Sequence, residues 1–480
     1  MSLAMTVIPT VTIVIVESIE KGKDTMNESV VFQKVLARRE VLALSFGAMI
    51  GWSWVLLTGE WVERAGWGGA VTAFLIGGIA VIFISLTYAE LAAAMPKAGG
   101  EHIYTHRAFG PGLSFVCTWA LVMAYVTVPV FESVALPTAL EYLFPNIRLV
   151  KLWDVAGSPV YLSLVVIGIA GAIIMSAVNL VGIKFAAVLQ TIITALFFLV
   201  GLSFLGATGV NGDAENVGPL FTAGAAGTMS VLIMVPALLV GFDVIPQSAE
   251  EINIPPEMIG KLLIFSVVLA VLWYILITTA VAFALDTNAR QNASIATPDA
   301  NAAVWQSTTA GKLMLIAGIG GLLTSWNAFI LGGSRVIYAL GKSGMLPPVF
   351  AQLHPRFQTP WAAILLIAVL SIIAPFFGRT ILVWIIDAGS FAVVIAYGMV
   401  AAAFIKLRIT DPDLPRPFRV RFGMPVGITA VLMSLGLFVI YLPGSPSALI
   451  WPYEWAMVLG WIVLGGILYL MRPKNSTHEN

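Results

Sequence analysis

The 480-residue chain is 59% apolar and only 10% charged, too little charge to cover a soluble surface of this size, which excludes a soluble fold and indicates a polytopic membrane protein. Its 25 Lys and Arg balance its 25 Asp and Glu, leaving no excess to recruit nucleic acid or another polyanion. The single cysteine, Cys117, rules out an intrachain disulfide or a thiolate cluster and reads as a packing residue.

In chain order, residues 1–38 read as a cytoplasmic tail. The apolar run Val7 to Val16 is too short to span and lacks the flanks of a signal peptide, and Met26 is an alternative start. Twelve apolar segments of spanning length follow, near residues 41–60, 69–94, 112–143, 159–180, 185–207, 227–249, 260–285, 312–341, 361–377, 380–405, 424–443 and 454–471. Residues 472–480 form a second cytoplasmic tail. With both termini inside, Arg64, Arg148, Lys151, Arg290, Lys312 and Arg379 face outward and the other 19 of the 25 basic residues face inward, the asymmetry of the positive-inside rule. Trp61, Trp67, Trp451 and Trp455 fall at the outer edge, where interfacial indoles are expected. The connection Asp286 to Gly311, rich in Asn, Ala, Thr and Ser, reads as an outer loop without a packed core.

Two spans carry glycine interruptions: "GAMIGWS" (47–53) in the first and "LLVGFD" (238–243), preceded by Pro236, in the sixth. Freed backbone groups survive in lipid only where they face protein, water or a ligand. A lone glycine is more often a close-packing contact, but paired breaks five spans apart match what an inverted repeat would place at a midplane binding site. Breaking the first span exposes the Met49 and Ile50 carbonyls and, beyond Gly51, the N–H groups of Trp52 and Ser53 at the positive end of a half-helix, suited to a carboxylate.

Four longer stretches, "YAELAAAMPKAGGEHIYTHRAFG" (88–110), "GFDVIPQSAEEINIPPEMI" (241–259), "SRVIYALGKSGMLPPVFAQLHPRFQTP" (334–360) and "KLRITDPDLPRPFRV" (406–420), closely resemble the amino acid-polyamine-organocation transporter superfamily. The resemblance implies an all-α membrane protein of twelve transmembrane helices. It further implies a LeuT-like five-plus-five inverted repeat with discontinuous helices one and six, a core over residues 39–422 and peripheral helices eleven and twelve over 423–471. It implies alternating access to a small amine-bearing solute across the plasma membrane, by a permease rather than an enzyme. It places a substrate ammonium near the Leu238, Leu239, Val240 and Gly241 carbonyls. Where the family has a small residue and a second glycine after Gly51, this chain has Trp52 and Ser53. Leu239 stands where an aromatic gate is common, so Trp52 is either a substitute lid or a packing residue.

Glu132, in "VTVPVFESVALP" (126–137), lies deep in the third span with no basic residue expected at its depth. An acid there costs about 2.5–3.5 kcal/mol on insertion scales, and three roles compete: ligand for a substrate amine, proton carrier, or hydrogen-bond partner of a neighbouring helix. Coupling to H⁺ or Na⁺, or exchange, stays open. The lysine that many relatives carry in helix five is absent from "QTIITALFFLVG" (190–201), Phe197 being the nearest match. In "LTSWNAF" (323–329), Thr324 and Ser325 are candidate sodium ligands or bond back to their own helix, and Asn327 is a candidate pocket or network residue. The resemblance assigns Asp243, with Glu250 and Glu251, to an inner gate bonding Arg107 or Arg335. Asp387 sits early in the tenth span, in reach of the helix dipole. His102 and His106 beside Glu101 lack further metal ligands, and no phosphate loop or nucleophile elbow is present. Cofactors are not expected. The remaining class is a non-transporting sensor or partner-dependent subunit, although Cys117 offers no outer link to an accessory chain.

Overall fold

The computed structural model describes residues 32, 34–293, 295–379, 381–445 and 448–472. The apolar run Val7 to Val16, Met26 and residues 473–480 lie outside the described residues. The helices are α1 (Arg38–Ile50), α2 (Ser53–Leu56), α3 (Thr58–Ala94), α4 (Gly100–Phe109), α5 (Pro111–Leu143), α6 (Leu162–Val181), α7 (Ile183–Asn211), α8 (Gly224–Leu232) and α9 (Val235–Leu238). They continue as α10 (Val244–Gln247), α11 (Pro256–Ala284), α12 (Thr287–Asn292), α13 (Ala296–Trp305), α14 (Thr308–Lys342), α15 (Trp361–Ile373), α16 (Ile381–Thr410), α17 (Gly423–Ile440) and α18 (Tyr453–Leu470). An antiparallel hairpin, β1 (Lys151–Val155) and β2 (Ser158–Tyr161), pairs Val155 with Ser158 between α5 and α6.

Among the described residues, nine helices are long and apolar enough to cross a bilayer, which makes this an all-α polytopic membrane protein. The expected first, sixth and ninth spans are not among those nine: the first and sixth are interrupted, and the ninth corresponds to the short apolar stretch Trp361–Phe377. Small residues set the packing. A Cβ at Gly77 would come within 2.7 Å of Val235, and one at Gly78 within 2.7 Å of Val271, so α3 meets α9 and α11 backbone-close. On the other face of α3, Leu75, Ile76 and Ile79 are exposed, as lipid contact requires. α14 and α16 are the most enclosed of the spans, and α18 is the least.

Thr58–Ala94 is two helices meeting at a kink, since Gly66 has a non-helical φ of 72° and ψ of 165°, so spans one and two are separate helices as expected. Two readings are corrected. The connection 286–311 is not coreless, since α12 and α13 bury Arg290, Thr297, Ala300 and Val304. Arg290 there donates to the carbonyls of Asn216, Ala282 and Leu285, and Thr297 donates to the Trp54 carbonyl at 3.1 Å. Trp61 is not interfacial. It is fully buried, its ring 4.9 Å from that of Phe74 and 5.6 Å from that of Tyr274.

Candidate functional site

The first interruption lies where the sequence placed it. α1 ends at Ile50, and Gly51 takes φ 45° and ψ −143° before α2 begins at Ser53, a left-handed conformation that glycine adopts at little cost. α14 presses against this point: a Cβ at Gly321 would collide with the Gly51 carbonyl, and one at Gly51 would touch Ser325 Oγ at 3.4 Å. The second interruption runs from the end of α9 at Leu238 to the start of α10 at Val244, with Gly241 at φ 126°. Any side chain at Gly241 would meet Ala48 Cβ at 2.7 Å and the Met49 nitrogen at 2.9 Å. The broken part of the sixth segment therefore sits directly on the last turn of the first.

One hydroxyl joins them. Tyr274 of α11 donates to the Met49 carbonyl at 2.8 Å, with the Ile50 carbonyl at 3.4 Å and the Leu238 carbonyl at 3.3 Å. With its proton directed at Met49, Tyr274 accepts from Ser53 Oγ at 2.8 Å. Its ring is held by stacking on Phe74 at 5.2 Å. Tyr274 escaped the sequence reading because a tyrosine in the apolar run "VLWYILITT" resembles any core aromatic; its polar tip was the only signal.

Glu132 closes the third side. It is 3% exposed; the Ser325 hydroxyl donates to its Oε1, and its Oε2 is buried without a partner among the described residues. No Lys or Arg among the described residues pairs with it. Ser325 thus touches both the acid of α5 and the Gly51 break, and brings the two together.

Trp52 lies in the first break, and Leu239 and Val240 lie in the second. Trp52 is buried and packs over Gly318, where a Cβ would lie 2.8 Å from its ring, so its indole rests against α14. Leu239 is fully buried and Val240 partly so. Thr324 donates to the Gly321 carbonyl at 2.8 Å, with the Gly47 carbonyl at 3.2 Å. Asn327 belongs to a strut: its Nδ2 donates to Gln190 Oε1 at 2.9 Å, its Oδ1 accepts from Asn179 at 2.9 Å, and Gln190 donates to the Ala43 carbonyl at 3.2 Å. Gln190 was not singled out from the sequence. Phe197, at the position of the missing lysine, packs against Phe46 and Trp54 at 6.1 and 6.2 Å.

On the α4 side, the expected gating set separates. Arg335 pairs with Glu251 at 2.8 Å, both fully buried, and Arg107 pairs with Asp411 at the surface. Asp243 bonds neither arginine; its Oδ1 accepts from the Gly241 amide at 2.9 Å. The Glu251–Arg335 pair is one of the contacts the resemblance assigned to the inner gate, and Glu90 is clamped by Arg408 at 2.5 Å and Arg416 at 3.1 Å. Glu101 of α4 accepts from Gln247, and burial, reinforced by the Asp243 carboxylate, pushes it well above the ordinary carboxylate range. His102 is hydrogen-bonded to Ser343 at 2.6 Å and to Ser114 at 3.0 Å, and burial, with His106 beside it, lowers it to about 3. Among the described residues no three His, Cys, Asp or Glu side chains are grouped to hold a metal.

Residues 36–467 match the model of the amino acid permease family. The chain is similar to the branched-chain amino acid permease BcaP of Bacillus subtilis, 25% identical over 461 residues covering 93% of this chain and 95% of that one. It is similar to the methylthioribose transporter of the same organism, 23% identical over 93% of this chain and 95% of the relative. The aspartate-proton symporter of B. subtilis is 23% identical over 94% of this chain and 85% of its own. These relatives are transporters and not enzymes. Spanning helices, interrupted segments and a family match over nearly the whole length agree: the chain belongs to the amino acid permease family and is a multi-pass membrane transporter.

Proposed function

We propose that the protein is a secondary active permease that moves an amino acid or related amine across the plasma membrane by alternating access, coupled to H⁺ or Na⁺ or working by exchange. Both termini face the cytoplasm, and no accessory subunit is required. In this reading the chain crosses twelve times and its first ten helices form a LeuT-like five-plus-five inverted repeat, with the interrupted segments as discontinuous helices one and six. The observation that carries it is the meeting of the two breaks at Gly241 and Ala48–Met49 beside Glu132, whose Oε2 has no partner. A substrate ammonium would take that oxygen together with carbonyls of the Leu238 to Gly241 segment. A carboxylate would take the Trp52 and Ser53 N–H groups.

A second reading has its own support. Where the resemblance expects small residues, Trp52 is wedged on Gly318 and the Ser53 hydroxyl is engaged by Tyr274, which favours a polyamine-like substrate that needs no carboxylate cradle. The three relatives are similarly distant, yet their names specify branched-chain amino acids, methylthioribose and aspartate, so the substrate has to be read from the site.

Purified protein in liposomes, given labelled arginine, leucine and putrescine under ion gradients, tests the proposal. Saturable accumulation of at least one, lost for the cationic probes in Glu132→Gln, is expected. Binding of a probe without flux would identify a sensor instead, and putrescine flux without amino acid flux would select the second reading.

A further inference from the structure

Beyond the sixth-segment break, the protein buries two more acids that the substrate site does not use. Asp243 stands at the start of α10 and Gln247 follows one turn later, so both side chains share a face. α4 is pressed against that turn: a Cβ at Gly100 would lie 2.9 Å from Pro246 Cβ and 3.2 Å from Gln247 Nε2. This close approach brings Glu101 to Gln247, whose amide donates to Glu101 Oε2.

Glu101 and Asp243 are both fully buried. Neither has a basic partner among the described residues, because Arg335 is held by Glu251, Arg107 by Asp411, and Arg408 and Arg416 by Glu90. The groups acting on the pair are Tyr88 of α3, Tyr104 of α4, Cys117 and Tyr125 of α5, Gln247 of α10 and Tyr397 of α16, none of them cationic. His102 is bound to Ser343 and Ser114. The hydroxyls of Tyr88 and Tyr125 are buried with these acids. Neither hydroxyl completes a hydrogen bond, and Tyr397 Oη, Glu101 Oε1, Asp243 Oδ2 and Gln247 Oε1 are likewise buried and unpartnered.

Two ionised carboxylates bridged through Gln247 in such surroundings repel each other, and each costs several kcal/mol to desolvate. One proton removes a charge and converts the repulsion into a donor–acceptor pair. We propose that Glu101 and Asp243 hold one exchangeable proton between them, taken up and released as α10 shifts against α4. The Gly241 amide donates to Asp243 Oδ1 at 2.9 Å, so the charge of the pair acts directly on the backbone of the break. The consequence for coupling, that the ion is H⁺, rests on the permease reading. The shared proton does not.

Infrared difference spectroscopy of the purified protein in lipid nanodiscs tests the proton without any substrate. At neutral pH the wild type should show a carboxylic-acid carbonyl band that survives Glu132→Gln. Measured in the Glu132→Gln background, Glu101→Gln and Asp243→Asn should each diminish it, and the double variant should diminish it most. Tyr125→Phe, which keeps the ring and removes the hydroxyl, should shift the band without loss of area, which guards against misreading a folding defect. A band indifferent to both acids, or one lost on adding sodium at fixed pH, overturns the proposal. Liposomes that show no flux for any probe while the band behaves as expected would remove the permease reading and leave the proton site standing.

Discussion

Glu251 and Glu132 are the same residue type at nearly the same burial, and the protein treats them oppositely. Glu251 faces the Arg335 guanidinium at 2.8 Å in a wholly buried pair, and Glu90 likewise sits between Arg408 and Arg416. Glu132 receives one hydroxyl and keeps an oxygen unpartnered. The first arrangement locks α14 to the segment after α10 and offers nothing to a ligand. The second leaves a charge requirement that an incoming cation or proton can meet. Burial alone therefore does not mark a functional acid; burial without a resident counter-charge does.

The contrast predicts the largest effect where a paired acid loses its partner. Arg335→Met leaves Glu251 charged and alone and should lower stability by about 3–5 kcal/mol, read as a drop in Tm in nanodiscs. Adding Glu251→Leu should recover much of that loss. Glu132→Gln should invert the pattern: Tm unchanged or raised, since a buried carboxyl with an unpartnered oxygen becomes an amide, but uptake of labelled arginine reduced by about tenfold or more, each factor of ten corresponding to about 1.4 kcal/mol. A Tm loss as large as that of Arg335→Met would erase the distinction.

Acid adds a graded test through His102. Its folded-state value of about 3 lies below the unfolded value of about 6.5, so the unfolded chain binds the proton first. Stability contributed by neutral His102 is complete above about pH 6.5 and falls by up to about 1.4 kcal/mol per unit as pH drops toward 3. His102→Gln should flatten that part of the Tm–pH curve. The smallest change is expected from Tyr274→Phe, about 1 kcal/mol for a hydrogen bond whose acceptor stays buried, with the flux rate altered more than Tm.

The two breaks and Glu132 were legible in the sequence because each violates what lipid demands of a helix: glycines where backbone must be sealed, and an acid with no cation in reach. The helical packing of 286–311 was not legible, since α13 is fixed from outside, Ala296 meeting Gly59 and Thr297 reaching the Trp54 carbonyl. Asp243 was paired with the wrong partners. Residue type suggested an arginine, whereas the fold gives it the Gly241 amide and sets it one turn before Gln247, which donates to Glu101. Tyr274, Gln190 and Glu101 act through neighbours more than 140 positions away in the chain, a separation that no local pattern encodes.

Tyr274 carries a mechanical consequence. Its oxygen lies within 3.5 Å of carbonyls from both interrupted segments and of a serine past the first break, so a shift of either half-helix is felt at once by the other. The two segments are geared through a single atom on α11, and a rearrangement that opened one while leaving the other at rest would first have to disengage that tooth.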